Sequence, residues 1–143
     1  MSTTPAPGPD LSRLRLPLIV APMLRVSDVR LTAAALRAGV VGAFPTLNAR
    51  SESGLRDWLD ELGRVQADSR GLLCPNLVMA DADAARHAQL IAESDARMVI
   101  TSVGSPAPVT ALFAEAGVAV FADVATVAHA RKAVAAGATG LVL

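Results

Sequence analysis

The stretch Leu112–Phe121, LFAEAGVAVF, carries the pattern that decides the fold. An alanine-containing apolar run reaches Ala116-Gly117, and Val118–Phe121 then follows without a polar residue. Glycine just past a helix supplies the positive φ that ends it. A run apolar at every position, instead of every second one, is a strand covered on both faces, as in a parallel sheet. The same succession occurs in ALRAGVVGAF (35–44) and AVAAGATGLVL (133–143), which places Gly39, Gly117 and Gly137 after helices. Helix, glycine and buried strand make the second half of a βαβ unit.

Working outward, strands are expected at roughly 17–22, 40–45, 72–78, 97–102, 118–123 and 139–143. Helices are expected between them, at roughly 28–38, 54–67, 82–94, 107–116 and 127–136. Ser27, Ser53, Asp81 or Asp83, Ser105 and Thr126 stand where N-caps belong. Strict alternation admits a doubly wound open sheet or a (β/α)8 barrel. A dinucleotide-binding domain wants G-x-G-x-x-G after its first strand. The exit here, APMLRVSD (21–28), has no glycine. The expectation is therefore α/β: a partial (β/α)8 TIM barrel of about five βα units plus a sixth strand. Its parallel sheet should run in sequential order with the helices on one side. Complete barrels take at least about 200 residues. These 143 residues stop inside the sixth strand, so they read as the N-terminal part of a longer barrel. Residues 1–14 read as a flexible Pro-rich leader and 15–143 as the barrel portion.

Hydrophobic residues make up 52% and charged residues 18%, with zero net charge and Lys132 as the one lysine among thirteen basic residues. Nothing in that balance selects nucleic acid or an anionic membrane. The single cysteine, Cys74, excludes an internal disulfide and fits a reducing compartment. No run approaches the ~18 apolar residues of a membrane span, and the N-terminus lacks the build of a signal peptide. A cytoplasmic protein is expected.

The first strand's end, Ala21-Pro22-Met23, offers no acid, base or thiol. It can serve only through its backbone and apolar surface, or simply by ending a strand and filling core. Asn76, in PNLVM, brings a donor and an acceptor to the end of an apolar strand. Ser102 and Gly104 lie in TSVGSP (101–106), and Asp123 ends the fifth strand. Thr46 and Asn48 suit turn capping. His87 and His129 read as helix-surface residues without metal spacing, Cys74 as core, and Trp58 as packing its helix on the sheet.

Five segments, in order, carry a resemblance. They are LPLIVAPMLRVSD (16–28), ALRAGVVGAFPTLNAR (35–50), CPNLVM (74–79), MVITSVGSP (98–106) and GVAVFADVATVAHARKAVAAGATGLVL (117–143). Over about residues 15–143 the chain resembles the nitronate monooxygenase family, formerly 2-nitropropane dioxygenases. The resemblance implies an FMN-dependent oxidoreductase that oxidises alkyl nitronates with O2. It sets Ala21, Pro22 and Met23 beneath the flavin ring and makes Asn76 a flavin contact, with Ser102 and Asp123 as further cofactor-binding candidates. It puts the catalytic histidine in a Gly-Gly-His loop after strand six, and the phosphate loops after strands seven and eight, all beyond Leu143. No catalytic residue is thus assigned, and the chain by itself is expected to be inactive and to self-associate through open barrel edges. Two alternatives stand beside this: a related FMN barrel such as an enoyl-acyl-carrier-protein reductase using NAD(P)H, and a non-catalytic self-associating half-barrel.

Overall fold

The computed structural model describes residues 6–143; the first part of the expected leader, residues 1–5, lies outside them. Six strands follow one another: β1 Ile19–Val20, β2 Val41–Pro45, β3 Leu72–Val78, β4 Met98–Ser102, β5 Ala119–Asp123 and β6 Gly140–Val142. Between them lie α1 Val29–Arg37, α2 Glu52–Ala67, α3 Ala84–Ala92, α4 Ala107–Glu115 and α5 Val127–Ala135. All neighbouring strands pair in parallel, in the order β1-β2-β3-β4-β5-β6. The sheet curls into a partial barrel, one of the two architectures that the alternation of helix and strand admits. Gly39, Gly117 and Gly137 have φ of +80°, +69° and +94°, the left-handed conformation that ends α1, α4 and α5.

Side chains alternate between two cores along each strand. Phe44, Leu73, Leu77, Val99 and Val120 point outward, where Leu36, Leu55, Leu59, Leu62, Ile91 and Phe113 of the helices meet them. Val41, Ala43, Leu72, Cys74, Met98, Ile100 and Ala119 line the concave face. The helices cover the convex face, so both faces of β2–β5 are apolar, which is why the strands show no period-two pattern. Trp58 of α2 packs edge-on against Phe44, with ring centroids 5.5 Å apart.

Residues 6–15 lie along the N-terminal end of the sheet. Ala6 is buried, and its carbonyl accepts from Thr139 Oγ1 at 3.3 Å. Arg13 donates to the Ser69 carbonyl at 2.7 Å, and the Arg15 amide donates to the Gly39 carbonyl at 2.8 Å. Leu14 packs against the concave cluster from below.

Three expected caps are corrected. α1 is capped by Asp28, which accepts from the Leu31 amide, and not by Ser27. α2 is capped by Ser51, which accepts from the Gly54 amide, and not by Ser53. α4 follows Pro106 with no side-chain cap, and Ser105 Oγ accepts only from the Ala107 amide at 3.3 Å. Asp83 precedes α3 without a capping bond of its own, while Thr126 caps α5 as expected.

Cys74 is fully buried on the concave face, and desolvation pushes its thiol pKa up, so the thiolate is suppressed. Folded protein should therefore show no labelling by iodoacetamide at pH 8 while urea-unfolded protein labels fully. Rapid labelling under native conditions would show that the concave face opens.

Candidate functional site

The strand ends at the C-terminal edge of the sheet bring together what the sequence kept apart. Asn76 on β3 and Ser102 on β4 both face the concave side. Asn76 Nδ2 donates to Ser102 Oγ at 3.0 Å and to the Ile100 carbonyl at 3.2 Å. Asn76 is 7% exposed. With its donors spent, its Oδ1 takes no hydrogen bond among the described residues and remains an acceptor at the rim of an apolar floor. Asp123 ends β5 on the same face, one residue past the Thr101–Ala122 pair, and is exposed. It borders a 470 Å3 hollow with Val103, Gly104, His129 and Lys132. His129 is exposed, as expected; His87 is only half-buried, and its enclosed Nδ1 has no partner among the described residues. The expectation of a surface residue is corrected there.

Ala21, Pro22 and Met23 lie at the exit of β1, on the same edge of the sheet. Met23 is 40% exposed. The backbone of this turn is held by two residues that sequence reasoning placed elsewhere. Ser27 is fully buried, and its hydroxyl accepts from the Met23 amide at 2.9 Å and donates to the Ala21 carbonyl at 3.1 Å. Asn48, which follows β2, donates to the Met23 carbonyl at 3.1 Å and to the Ser27 carbonyl at 2.9 Å, while its Oδ1 accepts from the Arg25 amide at 2.9 Å. Met23 thus turns both backbone groups into the loop and presents only its thioether side chain. Of the two means expected of this turn, backbone and apolar surface, the Met23 backbone is taken up within the loop and its side chain is left exposed. The signal that could have exposed the clamp is an amide two residues past Thr46 facing an otherwise uncapped loop, and that signal is too weak to read from one sequence.

Gly104 has φ +152°, and a Cβ there would sit 2.7 Å from Met79 Cβ. The glycine serves close packing of the β4 exit on the β3 exit. Val103 beside it has φ +54°, a strained conformation for a β-branched residue at the edge of a candidate site. Among the described residues no group of three His, Cys, Asp or Glu side chains is placed to hold a metal, and no helix is long and apolar enough to cross a membrane.

No family model and no curated protein matches the chain. Solved structures do. FabK from Thermotoga maritima superposes with a TM-score of 0.81 at 25% identity, covering 92% of this chain and 41% of that one. The nitroalkane oxidase from Streptomyces ansochromogenes superposes with a TM-score of 0.75 at 20% identity, covering 91% of this chain and 46% of that one. The fold is that of the nitronate monooxygenase family. The chain spans less than half the length of each of these family structures. The second of these neighbours is, by its name, an oxidase.

Proposed function

We propose that this chain supplies the flavin-cradling half of an FMN-dependent oxidoreductase of the nitronate monooxygenase type, acting on alkyl nitronates with O2. The observation that carries the proposal is Asn76, whose free Oδ1 stands above an apolar concave floor at the end where the family-like strand exits converge. A flavin ring is planar and largely apolar with an N–H at one edge, and these residues fit it. Met23 offers an apolar surface, Asn76 an acceptor, and Ser102 a hydroxyl fixed by Asn76. When bound, FMN supplies the redox chemistry. The protein's part is to orient the ring and keep its surroundings dry. The Ser27–Asn48 clamp on the β1 exit keeps Met23 in place, and the apolar floor below excludes water. Asp123 is the one carboxylate among the six proposed site residues, and it would orient a donor on cofactor or substrate.

A second reading, an enoyl-acyl-carrier-protein reductase of the FMN type using NAD(P)H, is favoured by the likeness to FabK. In a barrel completed with the remaining strands, oxygen uptake with ethylnitronate and no nicotinamide supports the first reading. NADPH oxidation with an enoyl thioester supports the second. In either, Asn76→Ala should weaken FMN retention about tenfold, the worth of one lost buried hydrogen bond. Unchanged flavin content after dialysis would remove Asn76 from the site.

A further inference from the structure

On the convex side of the same edge, the β1–α1 and β2–α2 loops enclose a hollow of about 790 Å3, a size suited to a small organic ligand. Its walls include Leu24, Arg25, Asp28, Leu47, Arg50 and Trp58. Three non-glycine residues in the described structure have positive φ, and two of them are Arg25 at +66° and Arg50 at +61°. Left-handed backbone is unfavourable for arginine, and persistent strain of this kind collects at binding sites. Here it is enforced. The Arg25 amide is tied to Asn48 Oδ1 at 2.9 Å, and Arg50 closes the short 3-10 turn Thr46–Ala49. Both arginines are exposed, and neither forms an ion pair among the described residues. The carboxylate in the wall, Asp28, accepts from the Leu31 amide as the cap of α1. Arg25 and Arg50 thus both line the hollow without an ion-pair partner among the described residues, beside the half-buried Trp58.

We propose that this hollow binds a small organic anion, with its phosphate or carboxylate between Arg25 and Arg50 and its apolar or aromatic body against Trp58 and Leu47. Planar guanidinium pairs match both headgroups bidentately, and an aromatic wall adds stacking for the body. The hollow borders the Ser27–Asn48 clamp but includes none of the six residues proposed for the flavin, and the inference does not rest on that reading.

Trp58 is the single tryptophan in a chain with no tyrosine, so emission excited at 295 nm comes from a residue in the wall of this hollow. The 143-residue chain should be titrated with phenyl phosphate, benzoate, inorganic phosphate and the neutral benzyl alcohol. A saturable change with phenyl phosphate or benzoate, weakening as salt rises, and none with benzyl alcohol is the expected result. Whichever of the two aromatic anions binds more tightly identifies the headgroup. Arg25→Asn and Arg50→Asn, which remove charge while tolerating positive φ, should each weaken binding about tenfold or more. No saturable change with either aromatic anion overturns the proposal, as does equal binding of benzyl alcohol. Full affinity in a double Asn variant with native circular dichroism also overturns it.

Discussion

Gly71→Ala should remove about 3–5 kcal/mol of stability, a large part of the ~5–15 kcal/mol that holds a typical domain together. Gly71 enters β3, and α1 with its C-terminal turn lies directly across it. A Cβ at position 71 would stand 2.5 Å from both the Leu36 Cα and the Leu36 carbonyl oxygen, and 2.8 Å from the Val40 carbonyl oxygen. All three are backbone atoms, so no rotamer change relieves the clash. Either α1 lifts from the sheet, exposing the fully buried Leu36, or β3 shifts against β2. Gly117→Ala is the matched comparison. Nothing lies within 4 Å of its added Cβ, and only the φ of +69° resists. That substitution should cost about 1–2 kcal/mol. Urea denaturation of the two variants measures the difference, and a Gly71→Ala loss no greater than that of Gly117→Ala would show that α1 does not press on β3.

The 143-residue chain by itself should retain FMN two to four orders of magnitude more weakly than a completed barrel of this fold, and should show no turnover of nitronate. Met23 at the β1 exit and the concave residues Asn76 and Ser102 can address only the ring. Among the described residues no glycine-rich loop gathers backbone amides for a phosphate, which in such barrels is held beyond the sixth strand. Two missing charge-assisted contacts at about 1.5–3 kcal/mol each account for that range. Among the described residues the outer edges of β1 and β6 pair with nothing. Leu16, Leu18, Ile19 and Leu143 near them are exposed, so ordering a ligand between those edges also costs binding energy, and association through them is expected. Flavin fluorescence titration and oxygen uptake with ethylnitronate measure both outcomes. Micromolar FMN affinity with sustained oxygen consumption would place the cofactor and its chemistry elsewhere in the chain.

The architecture was legible because it is written in local chemistry. Ala-Gly ahead of an apolar run recurs at Gly39, Gly117 and Gly137, and each glycine has the left-handed backbone that the pattern demands. Helix α5 starts at Thr126 as read, since no rival cap stands beside it. Neighbouring polar residues made the other starts ambiguous. Ser27 and Asp28 both suit a cap, and the difference between them is that the Ser27 hydroxyl is claimed by Ala21 and Met23 across the loop. Ser51 and Ser53 differ likewise, by a turn of chain whose path the sequence does not state.

The sequence by itself determined the βα alternation, the parallel sheet, its sequential order and the edge on which Ala21, Pro22, Met23, Asn76, Ser102 and Asp123 gather. Those follow from hydrophobic period, glycine position and the handedness of crossovers, all properties of short stretches of chain. Tertiary structure alone decided that Asn48 clamps the β1 exit, that Asn76 spends its donors and keeps an acceptor, and that Arg25 and Arg50 share one hollow with Trp58. These depend on which side chain meets which backbone group between loops more than twenty residues apart, as with the Asn48 bonds to Met23 and Arg25. No local preference encodes such a meeting, because it exists only once the sheet has curled and set the loops side by side.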